Sequence, residues 1–112
     1  MRIHRAGDFR DVTRTRPVLR SARMVVYARA STGSSSRLGV IVARTIGGSV
    51  VRSRVSRRLR HAAARVLPTG GTPTEPAVDL VARALPGIVT ADWADLVKDL
   101  AAAVRVAQHP AR

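Results

Sequence analysis

The stretch from Gly47 to Pro68 limits the possible folds more than any other part of this chain. It predicts a helix over 49–67 with both ends marked. Gly47-Gly48 interrupts whatever precedes it, and Ser49 is a suitable N-cap because its hydroxyl can accept an orphan backbone N–H. Pro68 and the Gly-rich run after it end the helix. At about 100° per residue, Val51, Val55, Leu59, Ala62 and Val66 share one narrow stripe. Arg54, Arg57, Arg58, Arg60 and Arg65 fan over the opposite side, and Arg52 lies near the stripe in the first turn, where a long side chain can still reach out. Such a helix has one face to bury against a larger layer and one face too basic to bury.

Six arginines stand in this helix without one acid. An ordinary solvated face mixes signs, because like charges at i,i+4 repel. The missing counter-charge is therefore expected from outside, from a polyanion, and arginine's planar fork suits phosphate. The imbalance extends well beyond the helix. Formal net charge is +13, yet residues 75–112 are slightly acidic, and no acid occurs from Val12 to Thr74. Nucleic acid fits this asymmetry. An anionic membrane fits less well, since Phe9, Tyr27 and Trp93 are the only aromatics available to insert.

Several chemistries have no support. Without cysteine there is neither a disulfide nor a thiolate metal site. His4, His61 and His109 form no ligand spacing, so no metal site is expected. The carboxylates are dispersed and no nucleophile–base pattern is visible, so no catalytic residue is assigned. Gly47-Gly48 before a helix lacks the lysine of a phosphate-binding loop; at most, one phosphate would sit on the helix N-terminus. No apolar run approaches the roughly 20 residues of a membrane span, and the first residues lack a signal-peptide core. A cytoplasmic protein is the expectation.

The rest of the chain supplies the layer that the helix needs. A short helix is expected from Asp8, as its cap, to Arg16, with Phe9 and Val12 on its buried side and Pro17 ending it. Residues 19–30 alternate like a strand, with Met24, Val26 and Ala28 on one face and Val25, Tyr27 and Arg29 on the other. The polar run 31–36 suggests an antiparallel hairpin into a second strand, Arg37 to Ile46, with Leu38, Val40 and Val42 inward. Val78 to Leu85 is almost continuously apolar, hence a central strand. A last helix is expected from Thr90 or Ala91, burying Trp93, Leu96, Val97, Leu100 and Val104. The order α-β-β(-β)-α-β-α gives a two-layer α+β sandwich. One domain spans 1–106, and a frayed tail follows from Ala107.

The run from Arg37 to Arg60 resembles the protein subunit of bacterial ribonuclease P. It matches that family's strand R-L-G-[LV]-x-V-[SA]-[KR]-[KR]-[VI]-G-N-A-V and the helix motif with R-N-R at its centre. Gly7 to Val12, Met24 to Tyr27 and Val78 to Pro86 extend the resemblance over about 3–106. It implies a sandwich with a left-handed β-α-β crossover, against the usual hand. It also implies that a catalytic RNA, working with Mg²⁺, cleaves the 5′ leader from precursor tRNA, while the protein binds that RNA and the leader. No cofactor bound by protein side chains and no protein partner are implied. On this resemblance Arg44, Arg52, Ser53, Arg54, Arg57 and Arg58 are assigned to the catalytic RNA, and Phe9, Tyr27, Arg29, Ser56 and Arg60 to the leader of precursor tRNA. Four positions depart from the pattern: Ser53 and Gly48 replace asparagines, Ser56 a lysine and Thr13 an aromatic. A general RNA-binding module of the ribosomal-protein kind, or a diverged paralogue without tRNA-processing activity, stays open at this point.

Overall fold

The structure, a computed structural model, describes residues 6–14, 16–31, 35–68 and 76–108, with the side chains of 6–9 excepted. The elements run α1 (Ala6–Thr13), β1 (Leu19–Arg20), β2 (Met24–Ala30), β3 (Arg37–Ile41), α2 (Ser49–Val66), β4 (Val78–Ala84) and α3 (Trp93–Gln108). Two 3₁₀ turns, Arg44–Ile46 and Pro86–Thr90, precede α2 and α3. The class is the α+β sandwich expected.

The four strands lie in the order β1-β2-β4-β3. β4 is central, antiparallel to β2 and parallel to β3. The expected hairpin between the strands at 24–30 and 37–41 therefore does not form. The polar connection is long enough for its two strands to separate, and β4, which buries Val78, Leu80, Ala82 and Ala84 on one face and Asp79 and Val81 on the other, takes the doubly paired position between them. The split of 19–30 is real: Ser21 Oγ accepts the backbone N–H groups of Arg23 and Met24 at 3.1 and 3.2 Å, turning β1 into β2.

Several expected boundaries move. α1 starts at Ala6, so Asp8 lies within the helix rather than at its cap, and α1 ends at Thr13 rather than Arg16. β3 stops at Ile41 instead of Ile46, because its partner runs out: Leu85 donates its N–H to Arg23 on the other side at 2.9 Å, and Pro86 has none. The N-cap of α2 is Gly48, with no side-chain cap bond, and Ser49 is already helical. α3 begins at Trp93 and continues through Gln108, where a frayed tail was expected; Ala107 packs on the core and Gln108 Nε2 donates to the Pro76 carbonyl at 3.3 Å.

α2 and α3 cover one sheet face. Their stripes meet Met24, Val26, Ala28, Leu38, Leu80, Ala82 and Ala84 in the main core. Within α2, Val55, Leu59, Ala62 and Ala63 are buried. Trp93 is not core; it is 39% exposed. It shares the angular position of Leu96 and Leu100 but stands at the first helical residue, where a side chain leans back past the helix end. Ile88 of the preceding turn is buried in the core instead. Gly87 packs this turn against the β1–β2 turn so closely that a β-carbon there would run into the Ala22 carbonyl oxygen. α1 lies on the opposite sheet face, touching β2 and β4, where Val12, Val81, Tyr27 and Ile41 form a second, smaller cluster.

Candidate nucleic-acid interface

α2 presents its basic side beside the free edge of the sheet. Ser49, Arg52, Ser53, Ser56, Arg57 and Arg60 face Val40 and Val42 across an open groove of about 570 Å³. Spacings of four, three and four place Ser49, Ser53, Ser56 and Arg60 in line along the helix. The serines are short, so the groove floor stays open while Arg57 and Arg60 flank it. Arg54 and Arg57 are exposed, and among the described residues neither they nor Arg60 have an acidic partner. Arg52 is half-buried and its Nε donates to the Gly47 carbonyl at 3.2 Å, fastening it over the start of the helix. Arg44 is exposed on the 3₁₀ turn before Gly47.

Arg58 departs from the expected fan. Its Nη2 donates to the Ala91 carbonyl at 2.8 Å, so this half-buried side chain ties α2 to the segment that leads into α3. The residues assigned to two different RNAs also share ground: Ser53, from the catalytic-RNA set, lines the same groove as Ser56 and Arg60, from the leader set. Gly48, where the family motif carries asparagine, has extended backbone and nothing within 4 Å of where a β-carbon would stand, so the backbone does not demand glycine there.

Tyr27 and Arg29 lie apart from this groove, on the opposite sheet face. Tyr27 is partly buried against Val12, Val81 and Ile41, leaving part of its surface to solvent. Phe9 belongs to α1 by its backbone, and its side chain lies outside the described residues. Arg29 is not a free cation. Its Nε and Nη2 both reach Asp79 Oδ2 at 3.3 Å. Arg37 grips the same carboxylate from the other side, Nε to Oδ1 at 2.9 Å and Nη2 to Oδ2 at 2.7 Å. Burial alone would raise the Asp79 carboxyl, but hydrogen bonds and charge from Arg37, with Arg29 and Ser31 adding to them, hold it below the usual carboxylate range. The sequence reading missed this cluster. Its signal was available: an acid inside an apolar strand read as central has to be paired. A second missed pair, Arg23 on Asp99 at 2.9 and 3.1 Å, joined by Ser21 at 2.8 Å, ties the β1–β2 turn to α3.

Among the described residues no group of three or more His, Asp or Glu could hold a metal ion, and no helix is long and apolar enough to cross a membrane. An α-β sandwich with an acid-free basic helix along an open groove defines a polyanion-binding protein. The sequence matches the Ribonuclease P family over residues 1–108. The Ribonuclease P protein component of Kocuria rhizophila is 41% identical over 87 residues, covering 75% of this chain and 71% of that one. That of Pseudarthrobacter chlorophenolicus is 38% identical over 117 residues, covering 99% and 83%. Among solved structures, the RNase P protein of Staphylococcus aureus superposes with a TM-score of 0.73 at 19% identity, covering 95% of this chain and 94% of that one. The RNase P protein of Thermotoga maritima gives 0.71 at 21%, covering 100% and 99%; at such identities the likeness speaks for the fold. The chain belongs to the ribonuclease P protein family. The role that follows is that of the ribonuclease P protein subunit, and the general RNA-binding module is not favoured.

Proposed function

We propose that this chain works within ribonuclease P as an RNA-binding subunit with two surfaces. The catalytic RNA takes the basic side of α2 and the turn before it, through Arg44, Arg52, Ser53, Arg54 and Arg57. The single-stranded 5′ leader of precursor tRNA takes the opposite sheet face around Tyr27, with Phe9 and Arg29 beside it. Ser56 and Arg60, also assigned to the leader, line the α2 groove together with Ser53 and Arg57. The arginine-lined groove carries this reading, because nothing else among the described residues neutralises it.

Chemistry is assigned to the RNA. In this reading the Mg²⁺ that the reaction requires is held by the RNA. The protein's part is electrostatic and positional. Arginines displace counterions from the catalytic RNA, and an aromatic surface takes a base of any identity, which suits leaders of differing sequence.

The test is reconstitution with the ribonuclease P RNA of the same source at low Mg²⁺. The holoenzyme should bind precursor tRNA more tightly than mature tRNA, and cleave it, where RNA or protein alone does not. Equal affinity of the holoenzyme for precursor and mature tRNA would remove the leader from this account.

A further inference from the structure

On the face opposite α2 and α3, the strand register sets residues in rows. Arg29, Asp79 and Arg37 form one row across β2, β4 and β3, and Tyr27, Val81 and Gly39 form the next. The rows are two residues apart, about 6.7 Å. Gly39 contributes no side chain and Val81 is buried in the cluster with Val12 of α1, so Tyr27 is the partly exposed side chain of its row.

The first row sets two guanidiniums on one carboxylate. One guanidinium satisfies one carboxylate with two parallel hydrogen bonds, and Arg37 does so. Arg29 is additional. It shares an oxygen already used, at longer distance, and leaves donors to spare among the described residues. The carboxylate is 0% exposed, while the Arg29 and Arg37 side chains are 26% and 21% exposed. Among the described residues, a ligand arriving at this row meets the partly exposed edges of two guanidiniums, with the carboxylate buried behind them.

We infer that Asp79 is a positioning residue: it holds Arg29, with Arg37, as a preformed ledge that takes one backbone phosphate of the leader whose adjoining base lies against Tyr27. This rests on the reading of Tyr27 as a leader contact. A guanidinium fixed before binding loses little freedom on meeting phosphate, and its fork fits two phosphate oxygens. The ledge does not read sequence, because phosphates are the same at every position.

The experiment uses the reconstituted holoenzyme and compares precursor tRNA carrying a leader of several nucleotides with mature tRNA. Arg29→Ala keeps the Arg37–Asp79 pair and hence the fold. It should weaken precursor binding by roughly tenfold, the scale of one charge-assisted contact, and leave mature tRNA unchanged. Neutral methylphosphonate linkages placed one at a time along the leader should expose a single sensitive linkage with the wild-type protein. Arg29→Ala should abolish the extra loss at that linkage alone, which a purely structural role would not do. Asp79→Asn should repeat the Arg29→Ala pattern wherever it folds, and the linkage scan stands without it. If Tyr27→Ala is leader-specific while Arg29→Ala is not, and no linkage stands out, the cluster is only a fold staple and the proposal is wrong, with the leader face intact. If neither variant is leader-specific, the leader reading fails and takes the proposal with it.

Discussion

Arg57 and Arg58 are neighbours with different surroundings, which makes them a sharp test. Arg58 donates one hydrogen bond from a charged group to the Ala91 carbonyl, 33 residues away. Removing such a bond costs about 1.5–3 kcal/mol. Both partners are only half-buried, so water can reach the orphaned carbonyl, and the cost of Arg58→Ala should lie near the lower end, about 1.5 kcal/mol. For a domain of this length that is a fall in Tm of about 6 °C. Arg57 is exposed and holds no described partner, so Arg57→Ala should melt within about 2 °C of wild type. RNA binding should show the reverse. Titrated against the catalytic RNA between about 50 and 200 mM salt, Arg57→Ala should bind severalfold more weakly, with the log–log salt slope shallower by about 0.9. Arg58→Ala, measured below its Tm, should keep the wild-type slope. Far-UV circular dichroism and fluorescence anisotropy suffice. A wild-type melt for Arg58→Ala together with a shallower slope would refute the reasoning, since Arg58 would then be reaching phosphate.

Three further outcomes are expected. Because the native Asp79 carboxyl is held below its unfolded value, its contribution is present above about pH 4 and is lost as pH falls through the native value; acid melts should lose stability below about pH 4, less steeply for Asp79→Asn. Leu59→Ala removes a fully buried side chain from the centre of the α2 stripe and should cost about 2–5 kcal/mol in denaturant melts without touching the groove. Protein freed of all RNA should leave precursor tRNA intact with or without Mg²⁺; cleavage by such a preparation would place catalytic groups in this chain.

Much of this architecture is legible in the sequence because it is local. The α2 stripe, the apolar run of β4 and the basic face are periodicities within single segments, and all three stand in the structure. What escaped is what depends on distant partners. A polar turn between two strands announces a hairpin, and nothing near it says that a strand some 40 residues later will come between them. Arg29 and Arg58 look alike in the sequence as free cations, yet each is held by a group on another element. Trp93 falls on a stripe by angle and leaves the core by position along the helix. Ser49 has the chemistry of a cap, while Gly48 has the backbone position.

The late arrival of β4 has a consequence for how the chain is made. No pairing of β3 can exist until residues 78–84 are available, because β3's strand neighbour is β4. The contacts that join Asp79 to Arg37 and Arg29 span 42 and 50 residues. Loop closure of that reach must precede any reward, so assembly of this sheet should be slow beside the rapid formation of a helix such as α2. Until β4 inserts, the nascent chain is an acid-free polycation from Val12 to Thr74, and the carboxylate that pairs with Arg29 and Arg37 is the one β4 brings. Folding therefore competes with indiscriminate capture by any nearby nucleic acid. A refolding reaction should slow as non-cognate RNA is added at low salt and recover at high salt, with the native protein, once formed, no longer sensitive in its fold.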